Sequence, residues 1–213
     1  MKTLLALLLV LAVGIVALER VTDGFRVVTT EDARRLSVRE RPRPVPPVAI
    51  QYESGAPLPL AQSLRDDGRV VIAVFIYTRC STVCSAVGSE FQQLQQILQA
   101  RGLARKVRLL SISFDGRDDQ AQLAAYAGRL RAQADRWRFA RVPDAAQRAR
   151  LLHAFGVTVI PAPLGEFQHN AAFHLLTPDG RLVRIIDYDQ PQSALDYAAS
   201  LATHLNRPAE AAS

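Results

Sequence analysis

The order of apolar runs along the chain predicts an α/β domain, a mixed β-sheet with helices on both sides, behind an N-terminal membrane anchor. Three observations carry this expectation. Residues 70–77 hold no polar side chain ahead of Tyr77, and residues 107–114 are apolar but for Arg108, Ser111 and Ser113. Both read as strands buried on two faces, and each precedes a stretch with apolar residues three or four apart. Pro178-Asp179-Gly180 lies between two more apolar runs, 172–177 and 182–188, and reads as a hairpin. Residues 3–18 carry no charge at all.

Composition narrows the function classes. The chain has 213 residues, 49% of them apolar, enough for one core and too many apolar residues for wholesale disorder. Two cysteines exclude a disulfide-dense scaffold. The formal charge is +6, and Lys2 and Lys106 are the only two lysines among 26 basic residues, so 24 are arginines. They are spread among acids instead of forming a stripe, and no recognition module accompanies them. No nucleic-acid partner is expected.

Taken in order, residues 1–20 form a transmembrane anchor or signal sequence. Sixteen uncharged residues reach about 24 Å as a helix against a hydrocarbon core of about 30 Å. Lys2 and Arg20 can snorkel to close the gap. A cleaved signal is the rival, although no Ala-x-Ala site follows the run. Both readings export the remainder.

Residues 21–47 read as a tether and proline-rich linker. A short strand is expected over 25–30, a brief helix over 30–36 and an extended segment over 41–47, where Pro42, Pro44, Pro46 and Pro47 restrain the backbone. The domain proper is expected over 48–206, with 207–213 a flexible tail. It opens with a hairpin, 48–52 against 58–60, at a sheet edge. Strand 70–77 leads into a helix from about Ser81 to Arg101 that Gly102 stops. Strand 107–114 leads into a helix capped by Asp118 or Asp119. A strand over 138–142, a helix over 145–155, a loop with Pro161, Pro163 and Gly165, the hairpin and a helix over 193–205 complete the order.

Chemistry concentrates after the first buried strand, where open α/β sheets gather ligands. Cys80 and Cys84 lie there, four residues apart. On one helical face their Cβ atoms stand about 6 Å apart, long for a relaxed disulfide but compatible with sulfurs converging on one ion. A helix N-terminus and Arg79 both favour thiolates. A metal-ligand pair, a redox pair and two merely packed cysteines all remain open.

A soft metal held by two thiolates needs another ligand. His153 falls inside a helix and His204 near the tail. His174 is mid-strand and faces away from His169 if that strand runs back far enough. His169, in a loop just before the strand, is the best placed. Cys, Cys and His suit Cu(I), and Cu(II) with an added oxygen ligand. Zinc would accept the trio, but no His-Glu-x-x-His occurs and Glu90 is six residues past Cys84, so no general base stands beside it. Asp119 reads as a helix cap, and Asp115 as an outer electrostatic or partner contact.

The stretch from Phe75 through Cys80-x-x-x-Cys84, the segment from Leu110 to Asp119, the run from His153 to Val157, and His169 ahead of Pro178-Asp179-Gly180 together resemble the SCO/SenC family of copper-binding proteins, assembly factors for cytochrome c oxidase. The resemblance covers roughly residues 45–205. It implies a thioredoxin-like fold, copper held by Cys80, Cys84 and His169, and loop aspartates at Asp115 and Asp119. It also implies delivery of copper to the CuA centre of oxidase subunit II or another copper-accepting exported protein, or reduction of that centre's cysteines. The placement implied is single-pass in a bacterial inner membrane, with the soluble domain in the periplasm. Ser81, Ser85 and Gly116 stand where the family has proline.

Two further functions compete with a copper carrier. One is a membrane-tethered thiol–disulfide oxidoreductase using the cysteines alone, for which Pro161 offers some support. The other is a scaffold whose metal is only structural.

Overall fold

A computed structural model describes residues 2–22, 29–79 and 83–205 of the chain. Helix α1 (Lys2–Val21) has twenty residues, enough for about 30 Å. Its described large apolar side chains, Leu4 and those from Leu7 to Leu18, are exposed.

Helix α2 (Thr30–Glu40) starts at a capping box in which Thr29 and Asp32 exchange side-chain and backbone hydrogen bonds. It runs four residues beyond the expected end and packs on the sheet: Arg35 pairs with Asp187 at 2.6 Å, and Arg34 donates to the Phe155 carbonyl. Strand β1 (Arg43–Pro44) then joins the sheet edge. Much of the expected tether therefore belongs to the folded body, because its arginines find carboxylate and carbonyl partners there. The strand expected over 25–30 falls largely outside the described residues; Thr29 and Thr30 open α2 instead.

The remaining elements are β2 (Ala49–Tyr52), β3 (Leu58–Pro59), α3 (Leu60–Asp67), β4 (Val70–Ile76), α4 (Val83–Ala100), β5 (Val107–Ser113), α5 (Gln120–Arg129), β6 (Trp137–Arg141) and α6 (Ala145–Phe155). Then come β7 (Val159–Pro161), a single 3-10 turn, β8 (Phe167–His169), β9 (Ala172–Leu176), β10 (Arg181–Asp187) and α7 (Pro191–Leu205). The main sheet has the order β1-β10-β9-β4-β5-β6-β2-β3, while β7 and β8 pair with each other.

Strands β4, β5 and β6 run parallel, and β9 closes antiparallel on β4, so β4 is central and every residue in it is buried. Adjacent residues of β9 show the two faces. Phe173 stacks on Phe91 of α4 at 5.9 Å, whereas His174 lies against Phe155 of α6 at 5.3 Å. Neighbouring strand residues point to opposite faces, so α4 and α6 cover opposite sides of the sheet. Helix α7 joins α4, α2 lies on β10, and α5 packs beside β6. The arrangement is thioredoxin-like, as expected. The segment expected as a loop around Pro161 and Pro163 instead forms the β7–β8 hairpin, which the short apolar spacing there does not announce.

Candidate functional site

The sheet ends where β4 and β5 finish. Tyr77 and Thr78 continue β4 and are buried; Arg79 emerges exposed. Cys80 lies outside the described residues. Cys84 is the second residue of α4, and its side chain is likewise outside them.

Asp118 anchors this strand end. Its carboxyl, fully buried, accepts the Thr78 backbone N–H at 2.9 Å, the Thr78 hydroxyl at 2.7 Å and the Ser113 hydroxyl at 2.6 Å. Arg141 donates to its carbonyl. Buried polar groups are tolerable only when so satisfied. Sequence reasoning assigned Asp118 no more than a cap. Asp119 performs that task, with Gln122 in a capping box, and stays exposed.

Asp115 is buried and holds two arginines. Arg79 donates at 2.7 Å, and Arg117 donates from Nε and Nη2 at 2.9 Å each. Burial alone would raise the Asp115 pKa, but the Arg117 side chain and backbone amide, with Arg79, overcome it and hold the group at about 2.

The β7–β8 hairpin is fastened to the same corner. Tyr77 donates its hydroxyl to Glu166 and accepts the Phe167 N–H at 3.4 Å. Arg117 donates to the Gly165 carbonyl at 2.8 Å and lies 5.3 Å from the Phe167 ring centre. Phe167 in turn meets Tyr77 and Phe114 edge-on.

His169 ends β8, where a loop was expected, opposite Val159. Its ring lies 4.9 Å from Phe114 and 6.3 Å from Tyr77. Nδ1 is 3.2 Å from the Asn170 carbonyl, which can only accept, so Nδ1 carries the proton and Nε2 the lone pair. Nε2 is buried and has no hydrogen-bond partner among the described residues. Burial lowers the pKa of this imidazole and so favours its neutral, ligating form. Asn170 fixes the chain behind it: its side chain donates to the Gly156 carbonyl at 2.9 Å and accepts from the Thr158 N–H at 2.7 Å.

The other histidines are elsewhere. His174 is buried between Phe75 and Phe155, with Nε2 at 3.2 Å donating to the Phe155 carbonyl. It does not face away from His169: their rings meet Phe75 of β4 and Tyr77 just past its end, two residues apart, because β8 and β9 are separate strands and not one extended back. His153 and His204 are exposed on α6 and α7. Pro161 is exposed at the end of β7. Among the described residues no three His, Cys, Asp or Glu side chains cluster as a metal site.

The SCO1/SenC family model matches residues 61–206, more than half of the chain. A curated SCO1 protein homolog of Bacillus subtilis is 30% identical over 148 residues, covering 68% of this chain and 73% of that protein. The structure of BsSco, a member of the Sco family of cytochrome c oxidase assembly proteins in which a disulfide switch was identified, is 28% identical with a TM-score of 0.60. It covers 76% of this chain and 96% of its own. Copper-bound ScoI of Bradyrhizobium japonicum, 24% identical with a TM-score of 0.56 over 75% of this chain and 97% of its own, shares the fold. With the family model spanning strands β4 to β10, the Cys80–Cys84 segment and His169, this chain belongs to the SCO1/SenC family.

Proposed function

We propose that the chain is a copper-binding metallochaperone that takes Cu(I), and Cu(II) with an added oxygen ligand, on Cys80, Cys84 and His169. Its task is to assist assembly of the CuA centre of a respiratory oxidase, through subunit II, or of a related exported copper protein. Helix α1 is its tether, a single pass through a bacterial inner membrane with the domain in the periplasm. Family membership supports this reading.

The single observation that carries it is the His169 imidazole. Nε2 keeps its lone pair, is shielded from water and is unpartnered among the described residues, at the corner where β4 hands the chain to Cys80. An orphaned polar atom is costly unless something is meant to occupy it. Two thiolates and one imidazole form a soft set that suits Cu(I). Tyr77 and Phe114 shield the ring, Asn170 sets its tautomer, and Asp118 holds the backbone ahead of Cys80.

Titration of the reduced chain with Cu(I), repeated with His169→Ala, tests this. The expected result is one tightly held ion and, in the variant, a loss exceeding the roughly 100-fold that outer-shell changes produce. The second reading, thiol–disulfide exchange by Cys80 and Cys84 alone, is favoured by the disulfide switch identified in BsSco. It takes over if wild type and variant bind Cu(I) equally weakly while a protein disulfide is reduced quickly.

A further inference from the structure

The geometry points to Arg79 and Arg117, clamped on Asp115, as the docking point for a carboxylate-bearing surface of the protein that exchanges metal or electrons with the cysteine pair. This deepens the reading above and rests on Cys80 and Cys84 being the reacting residues. The Asp115 side chain is 3% exposed, but its two arginines are 44% and 47% exposed. One buried carboxylate therefore holds two guanidinium groups in place at the surface, and their charges exceed its own.

Donors remain to be used. Arg79 gives Asp115 only Nη2. Arg117 spends Nε and Nη2 on Asp115 and on the Gly165 carbonyl, leaving Nη1 without a hydrogen-bond partner among the described residues. The platform is rigid as well, since Arg117 also lies over Phe167. A third guanidinium is close: Arg148 approaches so near Gly116 that a Cβ there would stand 2.7 Å from it. Glu166, Asp118 and Asp119 keep their charges, and Asp118 and Glu166 act on Arg117, but their oxygens already take hydrogen bonds, Glu166 from the Tyr77 hydroxyl, Asp118 from three donors and Asp119 from the α5 cap. Pre-set forks of this kind favour carboxylates, because little side-chain freedom is lost on binding. Arg79 directly precedes Cys80 in the chain, so a partner held by Arg79 is held one residue from a reacting cysteine.

The test compares two disulfide probes on the reduced full chain in nonionic detergent: dithiobis(nitrobenzoate), which carries two carboxylates, and uncharged dithiodipyridine. With either probe, one protein thiolate attacks the S–S bond, forms a mixed disulfide and releases one aryl thiolate. The second cysteine loses its proton to buffer and attacks that mixed bond. It releases the second aryl thiolate and closes Cys80–Cys84. Two electrons pass from protein to probe. Taking the ratio of the two rates cancels any change in the cysteines' own reactivity.

At 0.01 M salt, where the Debye length is about 30 Å, R79Q/R117Q should lower the anionic-to-neutral ratio about fivefold or more. At 1 M salt, with a Debye length of about 3 Å, the difference should vanish. R79K/R117K, which keeps both charges beside Asp115, should stay within about twofold of wild type at low salt. The matched control is R65Q/R105Q, at exposed positions just before β4 and β5 and so at the opposite end of the sheet. An unchanged ratio in R79Q/R117Q, or an equal fall in R65Q/R105Q, overturns the docking point. Cu(I) titration separates the two readings: a chain that binds no Cu(I) yet shows the expected ratios loses the copper function and keeps the docking point.

Discussion

Thr78 gives both its backbone N–H and its hydroxyl to one carboxyl, that of Asp118, at 2.9 and 2.7 Å across forty residues of sequence. The contact joins the end of β4 to the loop that starts α5, two residues ahead of Cys80. The hydroxyl of Ser113 reaches the same carboxyl from β5, so the two central strands share a single buried acceptor.

Asp118→Ala should therefore destabilise the domain by about 3–5 kcal/mol, since it strands several buried donors at once. Asp118→Asn keeps an acceptor and should cost less. Urea unfolding followed by circular dichroism checks both, and equal stability of wild type and the alanine variant would contradict the anchoring role.

Asn170 ties His169 to the end of α6 through Gly156 and Thr158. Replacing it with alanine leaves the backbone carbonyl but frees the turn. Cu(I) affinity should fall about 10- to 100-fold, the usual effect of loosening a ligand's support, while the thermal midpoint moves little because Asn170 is exposed. Competition titration against a chelator reads the first quantity and a thermal melt the second.

Acid should weaken the fold in two steps. Burial holds the His174 pKa down to about 4 from an unfolded value of 6.5. The unfolded chain thus takes up a proton that the native chain refuses, and stability that is full above pH 6.5 is lost as pH falls toward about 4. The full shift corresponds to about 3 kcal/mol. Asp115 acts lower: its stabilisation is present above pH 3.8 and is lost as pH falls through about 2. Unfolding free energies measured from pH 7 to 4 should lose most of their slope in His174→Phe, which keeps an aromatic ring beside Phe75 and Phe155.

Gly156 caps α6 at φ +66°, and a Cβ there would overlap the Arg34 guanidinium that reaches the Phe155 carbonyl. Gly156→Ala should cost about 1–2 kcal/mol from the left-handed backbone alone, with a further loss from displacing Arg34. Pairing it with Arg34→Ala in a double-mutant cycle should recover that second part.

Legibility in the sequence followed the range of the interactions. Strands β4 and β5, the caps at Asp119 and Gly156 and the β9–β10 hairpin announce themselves because apolar period, capping side chains and turn residues act within a few positions. The β7–β8 hairpin does not: its strands have three residues each, and what holds them is Tyr77, Phe114 and Arg117, up to 90 residues away. Likewise α2 reads as part of a tether until Asp187 and the Phe155 carbonyl supply partners for Arg35 and Arg34.

What the sequence by itself determined is the inventory: a sheet with helices on both faces, an apolar leading helix, and a short list of residues able to ligate or react. Only the tertiary structure decided which of these meet. It set His169 against the β4 corner with one nitrogen unspent, sent His174 into the core, and made Asp118 the hidden support. Local patterns encode elements because their energetics are local. A site assembled from four separate stretches depends on long-range packing, in which each side chain's role is set by neighbours that no short window of sequence contains.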